Sequence, residues 1–466
     1  MLQPRQYQHN AINRVRDSFV KGYRAPLLVL PTGAGKTVCF CYIAATSAAR
    51  GKKVLILVHR VELLRQTAQA LDTAGVRNGL INPKYTPDLA APVQVASVQT
   101  LIKRLPQINK PDLIIVDEAH HANAGSWKKI LQYFPEARVL GVTATPCRGD
   151  GTGLGTNGGG MFDDLIIGPQ IAELIEMGFL VKPIVYAPKD RLDLSGLRTR
   201  MGDYDQHQLS DFMDKPKITG SALEHYNRLC PGVPAVVFCV SVAHAIHVAE
   251  EFRNAGYRAY HADGSLDDDT RRRILSGLGN GQVQVVTSCD LISEGTDIPA
   301  IGAAILLRPT QSLGLYLQQV GRALRPCQGK DKAIILDHVG NVLTHGMPDE
   351  PREWSLDGTV KKKAGKKDTE KNIPVVQCPK CYALHEPAPI CPVCNHVYEV
   401  AKNALPIHTD GTLTQVSPED ALRMKRTKIT EVARAKTLEE LEAIASQRGY
   451  KRGWAQHIFN SRPKKA

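Results

Sequence analysis

Short apolar segments alternate with helix-length segments along most of the chain. In the first part these segments are APLLVL (25–30), VLILV (54–58), VQVAS (93–97), DLIIVD (112–117) and RVLGVT (138–143). These segments are rich in Val, Ile and Leu and do not alternate, which is typical of parallel strands covered on both faces. Strands that alternate with helices in this way predict an α/β domain.

The same pattern returns later in the chain and predicts a second α/β domain. The two are separated by CRGDGTGLGTNGGG (147–160), where seven of fourteen residues are glycine, which predicts a mobile loop. The later segments are AVVFCV (235–240), RAYHAD (258–263), VQVVTS (283–288), AAILL (303–307) and KAIILD (332–337). The fold class expected is therefore α/β with two tandem parallel-sheet domains.

Composition narrows the class of partner. The 466 residues carry a formal net charge of +13, which favours an anionic partner such as nucleic acid. No apolar run approaches the roughly 18 residues of a membrane span, and the N-terminus has no signal-peptide pattern. Seven scattered cysteines favour reduced thiols. We therefore expect a cytoplasmic protein.

The segment LPTGAGKT (30–37) follows a predicted strand and precedes a predicted helix. In this pattern backbone N–H groups at the start of a helix surround phosphates. The phosphate-binding residues expected are Thr32, Gly33, Ala34, Gly35, Lys36 and Thr37. Lys36 would reach the β- and γ-phosphates of ATP, and Thr37 would hold Mg²⁺.

The motif DEAH (117–120) ends the predicted strand LIIV. A carboxylate at the C-terminal end of a parallel strand faces the nucleotide cleft. Asp117 is therefore expected to hold Mg²⁺, and Glu118 to polarise the attacking water.

The order of these motifs resembles the DEAH-box helicases and translocases of superfamily 2, over about residues 2–340. The resemblance implies two RecA-like domains with ATP between them. It also implies that Gln8, in PRQYQ (4–8), reads adenine, although Gln6 stands where the family has proline. His120, Thr143 and Thr145, from DEAH and TAT (143–145), would couple the state of ATP to the grip on a strand.

Two further motifs of the family occur in the second half. VVTSCDLISEGTDIP (285–299) resembles motif V, in which Gly295, Thr296 and Asp297 approach the ribose and the sugar-phosphate backbone. QQVGRALR (318–325) resembles motif VI, which implies that Arg322 and Arg325 act as arginine fingers. The segments RPTQSLGLYLQQVGRALRP (308–326) and LDHVGN (336–341) look most like RadD-type bacterial and phage proteins. This resemblance implies a location in the cytoplasm of a bacterial cell or phage-infected host, associated with the nucleoid.

The fold implied by this resemblance carries the nucleic acid across both domains. Candidate phosphate contacts are Arg60, Gln99, Thr100, Ser241, Thr287 and Ser288. Contacts of this kind hold phosphates without reading bases, which predicts sequence-independent, salt-sensitive binding. For each hydroxyl, local capping is the alternative.

Four cysteines form two Cys-Pro-x-Cys turns in QCPKCYALHEPAPICPVCN (377–395). Cys378, Cys381, Cys391 and Cys394 suit tetrahedral Zn²⁺ in a small zinc ribbon, and iron–sulfur ligation or a redox pair are the alternatives. Beyond about residue 415, capping signals predict a short helical C-terminal region, whose aromatic residues could stack on bases or form its own core.

The expected domains are 1–182 (ATP-binding RecA-like), 183–348 (C-terminal RecA-like), 349–374 (basic linker), 375–400 (zinc ribbon) and 415–466 (helical, basic). The function expected is an ATP-dependent helicase or translocase on nucleic acid, with single-stranded or branched DNA favoured, in DNA repair, recombination or replication. A protein partner could bind the zinc ribbon or the C-terminal region. The alternatives are a motor subunit of a restriction or remodelling complex, an RNA helicase, and a zinc-ribbon binding protein with a degenerate ATPase fold.

Overall fold

A computed structural model describes residues 3–122, 125–147, 153–188, 194, 197–200, 203–213, 216–289, 301–357, 376–377, 384–385, 414–416, 437–447 and 456. Among these residues no helix is long and apolar enough to cross a membrane. The predicted motif V residues Gly295, Thr296 and Asp297 lie outside the described residues, as do the four clustered cysteines.

The strands of the first domain are β1 (Pro26–Val29), β2 (Val54–Val58), β3 (Asn78–Ile81), β4 (Val93–Ser97), β5 (Leu113–Asp117), β6 (Arg138–Thr143) and β7 (Asp164–Ile167). Within the described residues they form one seven-stranded sheet in the order β3-β4-β2-β5-β6-β1-β7, with every pair parallel. β2, β4 and β5 are buried along their whole length because helices cover both faces.

The strands of the second domain are β8 (Lys182–Ala187), β11 (Ala235–Phe238), β12 (Ala259–Ala262), β13 (Val285–Ser288), β14 (Ala303–Leu306), β15 (Lys332–Asp337) and β18 (Thr414–Val416). In the described part of the chain their order is β12-β13-β11-β14-β15-β8-β18. β18 pairs antiparallel with β8, and the other pairs are parallel. The prediction of two parallel-sheet α/β domains is confirmed.

Helices connect the strands and cover both sheets. The helices up to residue 176 are α1 (Gln6–Val20), α2 (Lys36–Ala48), α3 (Val61–Thr73), α4 (Val98–Leu101), α5 (Gly125–Tyr133) and α6 (Ile171–Glu176). The later helices are α7 (Gln206–Met213), α8 (Pro216–Leu229), α9 (Val242–Asn254), α10 (Asp268–Asn280), α11 (Leu313–Ala323), α12 (Asn341–His345) and α13 (Leu438–Gln447). Short 3-10 turns lie at Leu105–Gln107, Ala119–His121 and Thr156–Gly158.

Two short antiparallel pairs complete the described elements. One joins β9 (Thr199–Arg200) to β10 (Asp203–Tyr204), and the other joins β16 (Val376–Gln377) to β17 (Leu384–His385). The second pair encloses Cys378 and Cys381 in sequence.

The segment that follows the second sheet returns to the first domain. Trp354 and Leu356 pack against the core of the first domain, and Gly155 N donates to Leu356 O at 2.9 Å. Arg352 N donates to Gln170 Oε1 at 2.7 Å. The predicted linker (349–374) therefore contacts the first domain through Arg352, Trp354 and Leu356, and we call residues 348–357 the return segment.

β18 lies at the start of the C-terminal region that the sequence predicts to be helical. The predicted helical region begins at residue 415, but Gln415 and Val416 lie in a strand that pairs with Tyr186 and Val185 of β8. Three residues without an apolar run carry little strand signal, so this edge strand could not be found from the sequence. Farther on, residues Leu438–Gln447 form the helix α13.

Candidate functional site

The phosphate-binding loop joins β1 to α2 and is shaped by two glycines. Gly33 and Gly35 have φ of +89° and +77°, a region that favours glycine because it has no Cβ. A Cβ on Gly35 would also lie 2.3 Å from Gln8 Nε2. The loop therefore delivers its backbone N–H groups to the start of α2, where an anion is favoured.

Gln8 is held against this loop from α1. Gln8 Nε2 donates to Ala34 O at 3.0 Å, and Tyr7 Oη donates to the same carbonyl at 2.9 Å. Arg5 N donates to Gln8 Oε1 at 2.8 Å, so both ends of the Gln8 amide have protein partners. Gln8 thus ties the N-terminal helix to the phosphate loop, and its contact with adenine stays a prediction.

A cation–π pair next to Gln8 was not foreseen from the sequence. The Arg5 guanidinium lies 4.3 Å from the centroid of the Phe179 ring, and Tyr7 lies 5.0 Å from the same ring. Arg5 and Phe179 both line the nucleotide cleft described below. An aromatic ring beside a cation provides a flat surface suited to a base.

The two acidic residues of DEAH are buried at the end of β5. Asp117 is 4% exposed, and burial raises the pKa of its carboxyl to about 7, with the neighbouring Glu118 adding to the rise and Lys36 opposing it. Among the described residues Glu118 is the one non-glycine with positive φ, at 48°. Strained backbone of this kind occurs at functional sites, where it aims a side chain.

A chain of close contacts leads from Glu118 toward the second domain, and hydrogen bonds join its members from His120 to Thr145. His120 Nδ1 lies 3.4 Å from Glu118 Oε2 and 3.0 Å from Thr143 Oγ1. Thr143 Oγ1 donates its single hydrogen to Thr145 O at 3.0 Å, so His120 is the donor in its contact with Thr143. A Cβ on Gly314 would lie 2.8 Å from Thr145 Oγ1, which shows how closely α11 approaches.

The structure brings these groups together with motif VI around one cleft of about 740 Å³. Lys36, Asp117 and Glu118 line the cleft from the first domain, and Arg322 and Arg325 line it from α11 and the turn after it. A Cβ on Gly33 would lie 3.4 Å from Arg325 Cγ. The volume suits a ligand of nucleotide size.

The donors present fit a magnesium ion. Asp117 and Thr37 line the same cleft and offer a carboxylate and a hydroxyl oxygen, the hard ligands that Mg²⁺ prefers. A divalent cation would also balance the two buried carboxylates of Asp117 and Glu118. Within the described residues no cluster of three or more His, Cys, Asp or Glu side chains forms a further metal site.

Ion pairs between the two domains were not foreseen from the sequence. Asp268, at the start of α10, accepts from Arg65 and from Lys84 of the first domain, each at 2.9 Å. Arg271 contacts Glu62 at 2.9 Å and Asp268 at 2.5 Å. We call Glu62, Arg65, Lys84, Asp268 and Arg271 the interdomain ion-pair cluster.

The candidate nucleic-acid contacts differ in how accessible they are. Gln99 is exposed, whereas Thr287 and Ser288 are buried. Thr287 Oγ1 donates to Ala245 O at 2.6 Å, and Ser241 Oγ caps α9 by accepting from His244 N at 3.2 Å. These two hydroxyls therefore make local contacts in this conformation.

Arg60 and Thr100 lie at the same end of the first sheet. Arg60 is the residue before α3, and Thr100 is a largely buried residue of α4, beside Gln99. Both helices begin at the C-terminal ends of parallel strands, where ligands of this fold class bind. The nucleic-acid role of all six residues stays a prediction.

Two family models match the chain. Residues 1–148 match the type III restriction enzyme res subunit, and residues 221–327 match the helicase conserved C-terminal domain. Together they cover most of the strands of the two α/β domains and every residue that lines the cleft except Phe179.

Individual proteins are also similar in sequence to this chain. A 51.5 kDa protein of a Lactococcus phage is 33% identical over 393 residues, which are 84% of this chain and 82% of the phage protein. A Saccharomyces cerevisiae protein, named provisionally as the ATP-dependent helicase IRC3, is 31% identical over 357 residues. That alignment covers 72% of this chain but 51% of the yeast protein, so the chain spans about half of its length.

A solved structure shares the fold. The ATP-dependent type ISP restriction-modification enzyme LlaBIII bound to DNA aligns with a TM-score of 0.53 at 18% identity, over 72% of this chain and 27% of that chain. At this identity the likeness concerns the fold. Taken with the matched family models, the phage relative and the cleft, it leads to one conclusion: the chain belongs to superfamily 2 of the helicases, enzymes that hydrolyse ATP when bound to nucleic acid.

Proposed function

We propose that this chain is an ATP-driven motor that steps along a nucleic-acid strand, with DNA as its substrate. One observation carries the proposal. Lys36 and Glu118 line one wall of the cleft, and Arg322 and Arg325 line the opposite wall, so that ATP would be bound by both domains at once. Hydrolysis can then change the fit between the domains.

Each charged group of the cleft has a separate role in this proposal. The ammonium of Lys36 binds the β- and γ-phosphates, while the N–H groups of residues 32–36 surround them. Glu118 orients the attacking water. Arg322 and Arg325 offset the negative charge that develops on the γ-phosphate, and in related enzymes such an arginine is worth roughly 10³–10⁵ in rate.

Mg²⁺, held by Thr37 and Asp117, would neutralise charge on the phosphate oxygens. Gln8 and the Arg5–Phe179 pair would receive the adenine, and Asp297 the ribose. His120, Thr143 and Thr145 would pass a change at the phosphates to α11, because hydrogen bonds join the three residues and His120 Nδ1 lies 3.4 Å from Glu118 Oε2.

DNA is proposed on three grounds. The restriction-enzyme family model covers the ATP-binding domain, a restriction enzyme bound to DNA shares the fold, and the chain carries a net charge of +13. The candidate phosphate contacts are Arg60, Gln99, Thr100, Ser241, Thr287 and Ser288. A cytoplasmic site of action, in a bacterial cell or one infected by phage, agrees with the phage relative.

We also propose that Cys378, Cys381, Cys391 and Cys394 bind Zn²⁺ in a ribbon, flanked by the domains 1–182, 183–348 and 415–466 of the sequence prediction. The short antiparallel pair β16–β17 supports this, because it places two paired strands on either side of the first Cys-Pro-x-Cys turn. Four thiolates complete the preferred shell of a structural zinc. Zinc content near one ion per chain in protein purified without chelators is the expected result, and a content near zero would exclude the site.

A motor subunit of a restriction complex is the second candidate, since the first family model describes such a subunit. It differs from the main proposal in needing partner subunits for its biological activity. The roles of the cleft residues are the same in both cases.

The test measures ATP hydrolysis on single-stranded DNA, duplex DNA, forked DNA and RNA. Lys36→Ala and Arg325→Ala should abolish stimulated hydrolysis, whereas the exposed controls Lys128→Ala and Arg50→Ala should retain it. Absence of hydrolysis by the wild type with every nucleic acid would refute the proposal. Stimulation by RNA alone would move the substrate class from DNA to RNA.

A further inference from the structure

Lys330 lies outside every motif considered above, yet its ammonium group is bound to three backbone carbonyls. Nζ donates to Ala323 O at 2.5 Å, to Arg325 O at 2.5 Å and to Ile301 O at 2.6 Å. A lysine ammonium has three N–H donors, so all of them are used. The turn that brings Lys330 back is closed by its own N–H, which donates to Cys327 O at 3.1 Å.

These carbonyls belong to the end of the helix that carries motif VI. The last carbonyls of a helix have no partner within the helix, and a cation there is favoured by the helix dipole. Ala323 is the final residue of α11. The carbonyl between the two that Lys330 binds, Leu324 O, accepts from Val181 N at 2.9 Å. Three consecutive carbonyls are thus fixed where the chain leaves α11.

The side chain of Arg325 extends from this fixed backbone into the cleft. It passes over the phosphate-binding loop, since a Cβ on Gly33 would lie 3.4 Å from Arg325 Cγ and 3.9 Å from Arg325 Nε. A shift of the backbone at residue 325 would therefore move the guanidinium relative to the phosphates. Misplacement of a reacting group by about 1 Å can cost about a hundredfold in rate.

We propose that Lys330 is a positioning residue for ATP hydrolysis, holding the end of α11 so that Arg325 meets the γ-phosphate. This inference rests on the proposed function of the cleft. Lys330 itself does not touch the nucleotide in this scheme. It acts through the carbonyls of Ala323 and Arg325.

The hydrogen bond from Lys330 Nζ to Ile301 O connects α11 to a second segment of the chain. Ile301 is the first described residue after motif V, and it precedes β14. One ammonium group therefore joins the chain leaving motif V to the chain leaving motif VI. A neutral amine has two N–H donors and no charge, so deprotonation would release at least one of the three carbonyls.

Lys330 changes its protonation state within a pH range in which ATP hydrolysis can be measured. Burial lowers the pKa of its ammonium to about 8; Cys327 acts to raise it and Arg325 to lower it further. These are the titratable and charged groups that act on it. The protonated, positioning form thus predominates below about pH 8 and is lost as pH rises through that value, so the rate of hydrolysis should fall on the alkaline side.

The experiment follows DNA-stimulated ATP hydrolysis of the full chain between about pH 7 and pH 9.5, a range in which lysines of ordinary pKa stay charged. Lys330→Met should lower kcat by about tenfold to a hundredfold with KM for ATP unchanged, and it should remove the alkaline fall. Lys330→Arg should restore part of the rate and keep it constant across the same range, because guanidinium remains charged. Lys332→Met, at an exposed lysine two residues away, is the matched control.

Two outcomes would overturn the inference. One is a Lys330→Met enzyme with the kcat and pH profile of the wild type. The other is a Lys330→Met enzyme that has lost rate but keeps the alkaline fall, which would mean that another group titrates. Stimulated hydrolysis by the wild type at neutral pH tests the proposed function separately, and thermal unfolding of each variant shows whether it is folded.

Discussion

Gly321 of α11 lies directly against Thr32 of the phosphate-binding loop: a Cβ at position 321 would come within 2.7 Å of Thr32 Cβ. Real side chains do not approach so closely, so glycine permits the observed distance between motif VI and the loop. The contact between Gly321 and Thr32 therefore determines how closely the helix that carries Arg322 approaches the phosphate-binding loop.

Gly321→Ala should hold the two walls of the cleft apart. We expect a fall in kcat of about tenfold to a hundredfold, with ATP binding by the first domain largely kept, because the arginines would no longer reach the γ-phosphate. Steady-state hydrolysis and binding of a fluorescent ATP analogue measure the two effects. Gly279→Ala, in helix α10 with nothing near its added Cβ, is the control; equal rates for both variants would contradict the prediction.

Glu118→Gln should separate binding from hydrolysis. The amide keeps the size of the side chain but cannot polarise water as a carboxylate does, so hydrolysis should fall by about 10²–10⁴. ATP affinity should persist because the phosphate loop is untouched. Glu136→Gln, at an exposed residue, controls for the loss of one charge. Rapid hydrolysis by Glu118→Gln would show that another group polarises the attacking water.

Asp268→Asn should loosen the closed arrangement of the two domains. It removes the carboxylate that accepts from both Arg65 and Lys84. The pairs are partly exposed, each worth about 0.2–1 kcal/mol, so we expect a modest rise in KM for ATP that shrinks as salt is added. Asp269→Asn, whose partner Arg272 lies on its own helix, is the control. An effect of equal size in both variants would remove the interdomain ion-pair cluster from the mechanism.

The interdomain ion-pair cluster also predicts that the stability of the folded chain depends on pH in the acidic range. Hydrogen bonds from Lys84 and then Arg65 lower the pKa of Asp268 to about 2. Because its folded pKa is below the unfolded value, its stabilisation is present above about pH 4 and is lost as pH falls toward 2. Between those values the difference in thermal midpoint between wild type and Asp268→Asn should shrink. A constant difference down to low pH would contradict the assignment.

Two deletions should behave differently. Removal of residues 362–408 with a short flexible replacement keeps β18, whereas truncation after residue 361 removes the same segment and also β18. Because β18 covers the edge of β8, the truncation should lower the thermal midpoint more and should expose a strand edge prone to association. Thermal unfolding and size-exclusion chromatography compare the two. Identical behaviour would show that β18 contributes nothing to the sheet.

Much of the fold was predictable because most of its strands are short segments rich in Val, Ile and Leu. VLILV, for example, coincides with β2 (Val54–Val58). β3 (Asn78–Ile81) was missed, since NGLI alternates in burial and contains asparagine and glycine. The main charged residues of the cleft could be predicted from motifs whose residue types and spacing are those of a phosphate-binding site.

The contacts that position those residues could not be predicted. Arg65 and Asp268 lie 203 residues apart in sequence, and nothing local to either one indicates the other. Lys330 binds carbonyls, which every residue has, so no residue type identifies its partners. Such contacts depend on the packing of the two domains and become visible only in three dimensions.

The return segment and β18 together fix where the cysteine-bearing part of the chain is attached. Leu356 is bound to Gly155 of the first domain, and Thr414 pairs with Ala187 of the second. The two attachment points therefore lie on different domains, one on each side of the nucleotide cleft. Opening the cleft would change the distance between Leu356 and Thr414, so the two ends of the intervening segment would move relative to each other during each turnover of ATP.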